Sequence, residues 1–478
     1  MSNKRIANWS GILMLALLNA ACNVPRLITK TENKAVPVSY NNNSQDSTNT
    51  GKTAWREFFS DPNLAALIDS ALYNNQELNI TLQEIQISNN EVLARSGAYR
   101  PFVSLGGGAG ADKVSRYTSQ GAADEVSEIK PGVPTPTILP NFYFGATASW
   151  EVDIWRKLRN SKKAAVSSYL ASIEGKNFQV TNLVAEIASS YFELMAYDNQ
   201  LDIIQRNIVI LNNALGITRQ EKEAAKVTEL AVRRFEAEVA KTQSLQYEIQ
   251  QKIVETENHL NFLVGRFPRP IQRSSQGFND LAPTRVYAGI PQQLLANRPD
   301  IKQAEWNLEA AKLSVSVARA NFYPSLTLRG FLGVMAYNPL YLVYTPEALV
   351  ASLLGDFVGP VINKNEITAT YRSANAKQIQ AVYNYEKTVL NAYVEVANQL
   401  SNINNLEQKY NTKNNQVQAL TQSTNISLKL FTSARADYME VLLTQRDVLE
   451  ARMELIETKM QQMSAQINAY RALGGGWR

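Results

Sequence analysis

Two hydrophobic periods alternate along this chain. From about Lys162 to about Ile217, apolar residues return every three or four positions: Leu183, Val184, Ile187, Tyr191, Leu194 and Met195, then Leu201, Ile204, Ile208, Leu211 and Leu215. That spacing places them on one stripe of an amphipathic helix. About 55 residues of helix would reach roughly 80 Å. The pattern recurs from about Thr228 to Leu263, from about Ser373 to Thr432 and from Tyr438 to Leu473. Such lengths exceed the needs of one globular core and predict coiled-coil or tube packing. Between the helices the period changes to two. Phe142, Phe144, Ala146, Ala148, Trp150, Val152 and Ile154 alternate with Tyr143, Gly145, Thr147, Ser149, Glu151 and Asp153. Leu326, Leu328, Gly330, Leu332 and Val334 alternate with Ser325, Thr327, Arg329 and Gly333. Weaker alternation follows Phe102 (Val103, Leu105, Ala109, Ala111) and Leu349 (Ala351, Leu353, Phe357). Four strands are predicted, at about 102–112, 141–154, 324–335 and 348–361. Pro101 and Pro324 stop the preceding helices, because proline disfavours a helical residue before it, and so mark the helix–strand junctions. The segments Asp112 to Pro140 and Ala336 to Pro346 read as loops, the second with Tyr337, Tyr341 and Tyr344 at a plausible interfacial girdle.

The pattern is written twice. Ala71 to Leu78 aligns with Leu294 to Ile301, and the same offset of 223 carries Tyr99-Arg100-Pro101 onto Phe322-Tyr323-Pro324. Asn258, Leu260, Leu263 and Gly265 align with Asn468, Tyr470, Leu473 and Gly475 at an offset of 210. Each half therefore reads as helix, two strands and a long helical hairpin, over 55–284 and 285–478. Two copies of one large unit fit gene duplication better than a solenoid of short repeats.

The N-terminus has a different design. Lys4 and Arg5 precede an apolar run from Gly11 to Ala21, too short for a mature membrane helix and laid out as a secretory leader over 1–21. The run ends in Leu18-Asn19-Ala20-Ala21-Cys22, which resembles a bacterial lipoprotein processing site with Asn19 where a leucine is usual. Cys22 is then either the lipidated first residue or an unmodified residue after a plain cleavage near Ala21. The polar stretch that follows, through residue 54, reads as an extended tether.

Composition narrows the function. The 478 residues hold one cysteine, Cys22, and one histidine, His259. No structural zinc site and no disulfide within the chain can be built from that inventory, and no cofactor or metal is expected. His259 is the only imidazole base, and no triad surrounds it in sequence. The net charge of +5 is too mild to indicate nucleic acid. Gly106-Gly107-Gly108-Ala109-Gly110 lacks the helix that a dinucleotide loop requires and reads as a small-residue strand. Met453, Met460 and Met463 fall at helical spacing and read as packing residues.

Strands with one apolar face fit either a soluble sandwich or a membrane sheet. If they enter a membrane, four cannot close a barrel, since single-chain outer-membrane barrels start at about eight strands. An open sheet in lipid leaves unpaired backbone groups at several kcal/mol each, so several chains must share one barrel.

Four segments then make a specific resemblance: Trp55-Arg56-Glu57-Phe58-Phe59-Ser60-Asp61-Pro62, Asn297-Arg298-Pro299-Asp300-Ile301, Ala320-Asn321-Phe322-Tyr323-Pro324-Ser325-Leu326, and Tyr470-Arg471-Ala472-Leu473-Gly474-Gly475-Gly476-Trp477. Together they resemble the outer membrane factor (TolC-like) family, in its lipoprotein branch of efflux channels, over the whole chain after Cys22. The resemblance implies a membrane α+β protein. A homotrimer would form one twelve-stranded outer-membrane barrel, four strands per chain, continued by a long α-helical barrel in the periplasm. It implies no enzyme. The chain would be a passive conduit, lipid-anchored in the outer membrane, that docks a periplasmic adaptor and an inner-membrane pump of the resistance-nodulation-division or a related class. A type I secretion conduit and a structural surface lipoprotein are the rival readings. The exported substrate is not legible.

The family's periplasmic tip maps onto the turns at about Ala224 to Leu230 and Ser433 to Val441. Relatives place gate carboxylates and apolar constriction residues there, which makes Asp437, Glu440 and Leu230 the gate candidates. Three copies of Glu440 would form an acidic ring favouring cations. Glu440 also suits the start of a helix, and Asp437 suits an N-cap. Thr228 is the matching cap of the other turn. Ala225 and Ala434 stand where relatives often carry glycine.

Overall fold

The computed structural model describes residues 24–40, 47–282, 284–433, 435 and 437–478. Cys22, the leader before it and Ala434 lie outside the described residues. In order, the first half forms α1 (Trp55–Phe58), α2 (Pro62–Asn74), α3 (Gln76–Ala98), β1 (Phe102–Asp112), α4 (Ser119–Val126), β2 (Glu128–Lys130), β3 (Val133–Pro134), β4 (Leu139–Val152), α5 (Lys157–Glu223) and α6 (Glu229–Leu263). The second forms α7 (Gln292–Asn297), α8 (Pro299–Ala320), β5 (Ser325–Ala336), β6 (Leu349–Val358), α9 (Asn365–Thr432) and α10 (Tyr438–Ala472). The long helices match in length, 67 and 68 residues for α5 and α9, and 35 each for α6 and α10.

Several boundaries move from the periodicity reading. α5 starts at Lys157 and runs to Glu223, and α9 starts at Asn365, because polar helix ends carry no apolar stripe to mark them. The segment read as a loop before β4 contains α4 and the small β2–β3 hairpin. Thr118 caps α4 by accepting from the Gly121 N–H at 3.1 Å, a local signal that a survey of apolar periods passes over. β4 begins at Leu139 and stops at Val152, where Ile154 turns back to the Val152 carbonyl at 2.8 Å.

The chain forms two compact units, and each draws on both sequence halves. The first comprises residues 24–31, 87–169 and 306–382. It holds a four-stranded antiparallel sheet in the order β1-β4-β5-β6. Beside the sheet, Ala318, Phe322 and Tyr371 form a small core, on which Val24 and Leu27 pack.

The second unit comprises residues 32–86, 170–305 and 383–478. Its main core gathers Trp55, Phe58, Leu64 and Ile68 around the α5 stripe of Val184, Ile187, Tyr191 and Leu194, with Leu260, Leu263, Ile456, Ile467 and Tyr470. Each such side chain removed from water contributes about 1.5–3 kcal/mol. The Phe58 ring stacks on Tyr470 at 4.1 Å, and the Tyr470 hydroxyl donates to the Thr53 carbonyl at 2.7 Å. Asp61 caps α2 ahead of Pro62 and also accepts from the Tyr191 hydroxyl at 2.9 Å. These contacts explain the first and last of the four family-like segments. Met463 is buried, and Met453 and Met460 pack against apolar clusters.

The described part of the tether, residues 24–40, has little regular structure and lies against helices. Within the first unit Ile28 and Lys30 offer carbonyls to Asn375 (3.1 Å) and Gln378 (3.2 Å) on α9. Within the second, Lys34 pairs with Glu305 at 2.7 Å, and Tyr40 is buried and stacked on Tyr393 at 5.4 Å. A polar sequence satisfies its backbone against helix side chains as readily as against water.

α6 and α10 end alike. Val264 and Leu473 are the C-caps, followed by Gly265 at φ 76° and Gly474 at φ 86°. The left-handed residue after each helix is where glycine carries no Cβ penalty. Gly474 follows Gly265 by 209 residues.

Candidate functional site

The strand register sorts the sheet into two faces. Residues directly opposite in antiparallel strands share a face. Val103 and Leu105 on β1 sit opposite Ala148 and Ala146. Ala146 and Phe144 on β4 sit opposite Leu332 and Val334, and Leu332 and Val334 sit opposite Ala351 and Leu349. The four separate alternations thus merge into one continuous apolar face. Leu105 is 76% exposed and Leu353 78% exposed on it, an arrangement that water disfavours and lipid favours. The opposite face carries Ser104 bonded to Thr147 at 2.7 Å, and Arg329 paired with Asp356 at 3.5 Å. Within the chain's four-stranded sheet, β1 and β6 each have one strand edge without a ladder partner.

The helix–strand junctions stand at one end of the sheet. α3 stops at Ala98 and β1 follows Pro101; α8 stops at Ala320 and β5 follows Pro324. Trp150 donates to the Tyr99 carbonyl at 3.2 Å, and Trp155 to the Pro324 carbonyl at 2.7 Å while stacking on Tyr323 at 4.6 Å. At the other end, Tyr337, Tyr341 and Tyr344 form a chain of rings 5.3 and 5.8 Å apart, with Lys130 over Tyr341 at 5.0 Å.

The β4–α5 junction holds a residue that periodicity misses. Asp153, whose side chain is 2% exposed, accepts from the backbone N–H of Leu158 (3.0 Å) and Arg159 (2.9 Å) and from the Arg159 guanidinium (3.1 Å). Burial opposes its charge, but these donors outweigh burial and hold the carboxyl below the usual carboxylate range. A depressed folded pKa stabilises the fold above the unfolded value of about 3.9 and loses that contribution as pH falls through the folded value. Asp153→Asn is therefore expected to cost about 2 kcal/mol at neutral pH and to flatten stability against pH below about pH 4. Denaturation of both proteins between pH 2 and 7 checks this; parallel curves would count against it.

The gate candidates lie at the turns that join the paired long helices. α5 turns into α6 through Ala225 at φ 61°, a left-handed conformation that favours glycine. Around that turn Glu229 pairs with Lys222 and with Arg233 (2.8 Å), and Glu236 pairs with Arg219 (2.8 Å) and Arg233 (2.9 Å). These partners hold Glu229 and Glu236 below the usual carboxylate range. The start of α10 packs beside α6: Tyr438 and Leu442 cover Val232, Phe235 and Val239, and Arg234 reaches the Met439 sulfur at 3.2 Å. The structure thus brings the two tip turns together. Leu230 is 55% exposed, and Asp437 and Glu440 are exposed. Asp437 and Thr228 occupy N-cap positions, yet neither side chain makes a cap hydrogen bond. Among the described residues Asp437 and Glu440 have no ion-pair partner, in contrast to Glu229 across the seam. His259 lies on α6 with its ring 3.2 Å from Glu186, an exposed contact rather than a packed one.

The chain is similar over most of its length to known proteins. It is 26% identical to the cation efflux system protein CusC of Escherichia coli O6:H1 (strain CFT073), over 90% of each chain. It is 25% identical to the probable outer membrane lipoprotein SilC of Salmonella typhimurium, over 95% of this chain and 93% of that one. Its fold matches the open-state crystal structure of the Neisseria gonorrhoeae MtrE outer membrane channel with a TM-score of 0.82 at 21% identity, covering 96% of this chain and 99% of that one. The family model described as outer membrane efflux protein matches residues 67–266 and 290–475. A sheet with a continuous apolar face, long paired hairpins and a family model matched over most of the chain lead to one conclusion: the chain belongs to the outer membrane efflux protein family.

Proposed function

We propose that three copies of this chain close one twelve-stranded barrel in the outer membrane, continued into the periplasm by a barrel of α5, α6, α9, α10 and their counterparts. The observation that carries this reading is the four-stranded sheet with one apolar face and two unpartnered edges. In lipid each unpaired edge group costs several kcal/mol, and pairing β1 of one copy with β6 of the next removes every edge. The matching element order of the halves 55–284 and 285–478 supports a duplicated origin, with offsets of 223 at the strands and 209 at the hairpin ends. Lipidation of Cys22 would anchor the mature chain after loss of residues 1–21.

The conduit is passive. Its drive comes from an inner-membrane pump of the resistance-nodulation-division or a related class, reached through a periplasmic adaptor that docks at the tip. CusC is named for cation efflux, and metal ions or other small solutes are the class of cargo we propose here. Size analysis of the detergent-solubilised protein tests the assembly; a monomer stable without detergent would reject it. Leu230, Asp437 and Glu440 are the proposed gate. Among the described residues the exposed Glu440 carboxylate has no ion-pair partner, and three copies of it would form a cation-favouring ring. Glu440→Ala is expected to lower the cation-over-anion permeability ratio by about two-fold at 0.1 M salt, where charge acts over roughly 10 Å. Reversal potentials in planar bilayers read that ratio, and an unchanged value removes Glu440 from the gate.

A further inference from the structure

Two aromatic rings meet on the polar face of the sheet, which also carries Phe102 at the start of β1. Tyr143 on β4 and Phe331 on β5 both stand on that face, with ring centroids 6.3 Å apart in an edge-on arrangement. Each ring lies on glycine. A Cβ at Gly145 or at Gly333, which are directly opposite one another, would meet the facing strand's backbone at 2.4–2.6 Å and the tip of the Phe331 ring at 2.9 Å. A Cβ at Gly108, directly opposite Tyr143, would meet the Tyr143 ring at 2.7 Å. Gly145 is buried beneath this cover, and Gly108 is the one half-buried residue of β1.

These glycines are not needed for backbone freedom. None of the three has a positive φ, unlike Gly265 or Gly474. Glycine in a strand costs about as much as it does in a helix and often marks a close approach. Gly145 and Gly333 let the β4 and β5 backbones approach closely, and with Gly108 they leave room for the ends of the two rings. The rings stand edge-to-face and keep open surface, with Tyr143 42% exposed and Phe331 half-buried. An open aromatic face carries negative potential and attracts planar rings and delocalised cations.

We infer that Tyr143 and Phe331, inlaid on Gly108, Gly145 and Gly333, form an aromatic lining of the conducting face that contacts cargo bearing planar aromatic or delocalised cationic groups. The inference rests on the barrel reading, which turns the polar face toward the lumen.

Single-channel recordings of the full-length protein in planar bilayers test this, with ethidium as the planar aromatic cation and tetrabutylammonium as the non-aromatic one. The double variant Tyr143→Ala, Phe331→Ala is expected to need roughly three- to ten-fold more ethidium for half block, with tetrabutylammonium block unchanged. Phe331→Leu still covers the glycines but has no ring, and is expected to weaken ethidium block as well. Equal ethidium block in the parent, the double variant and Phe331→Leu overturns the inference and leaves the conduit intact, because rings that only shield the backbone do not alter block. A parent protein without any conductance overturns both.

Discussion

Replacing Arg298 with alanine is expected to destabilise the fold by about 3–5 kcal/mol, the range for breaking a buried ion pair from one side. The Arg298 side chain is 7% exposed. Its guanidinium grips Asp300 with two bonds of 3.0 and 2.7 Å, donates to Glu395 at 2.8 Å, and donates to the Ala472 carbonyl at the end of α10 at 2.7 Å. Arg471 shares Glu395 at 3.0 Å. Burial works against the charge, but the two carboxylates outweigh it and raise the Arg298 pKa above its ordinary value. Alanine leaves the half-buried Asp300 carboxylate without its cation, leaves Glu395 with Arg471 alone, and leaves a helix-end carbonyl unsatisfied. Lysine cannot reproduce the planar fork, so Arg298→Lys should recover only part of the loss. The first half offers an internal comparison. Asn75 stands 223 residues before Arg298 and donates to the Leu263 carbonyl at 2.8 Å, the corresponding end of α6. That bond is neutral, so Asn75→Ala is expected to cost about 1–2 kcal/mol. Denaturant titration of the detergent-solubilised variants measures both. An Arg298→Ala loss no larger than that of Asn75→Ala would refute the role given to the ion cluster.

The second large effect separates two neighbours in β6. Leu353 and Leu354 are 78% and 63% exposed in the chain, so a purely water-facing sheet would tolerate arginine at either. Register places Leu353 opposite Gly330 on the apolar face and Leu354 opposite Arg329 on the polar face. Arginine on the lipid face near mid-membrane costs about 2–4 kcal/mol per copy, and a lumen-facing arginine costs little. Leu353→Arg is therefore expected to abolish assembled protein in outer-membrane fractions, while Leu354→Arg assembles at close to the parental level. Semi-native gel mobility with and without heating reads the assembled fraction. Equal yields of the two variants would reject the lipid-facing assignment.

Both predictions separate what local pattern carries from what docking adds. The four strands were legible because a half-buried strand repeats its burial every second residue, and the long helices because a stripe repeats every three or four. Junctions at Pro101 and Pro324 were legible because proline acts on its immediate neighbour. Polar helix ends, the α4 cap and the docked tether were not, since none of them carries an apolar period. The tip was legible only in part. Sequence placed Leu230, Asp437 and Glu440 in two turns more than 200 residues apart, whereas packing of Tyr438 and Leu442 on Val232, Phe235 and Val239 set those turns side by side.

By itself, then, the sequence determined the two periods, the kinds and order of the long elements, and the inventory that excludes paired cysteine or histidine chemistry. The tertiary structure decided how those parts combine. It merged four alternations into one apolar face, laid Tyr143 and Phe331 on three glycines, and aimed Arg298 at a carbonyl 174 residues away. The physical reason is range. Periodicity is imposed by neighbours within a few residues, while strand register and a buried ion cluster arise only when distant segments dock and must satisfy one another's polar groups.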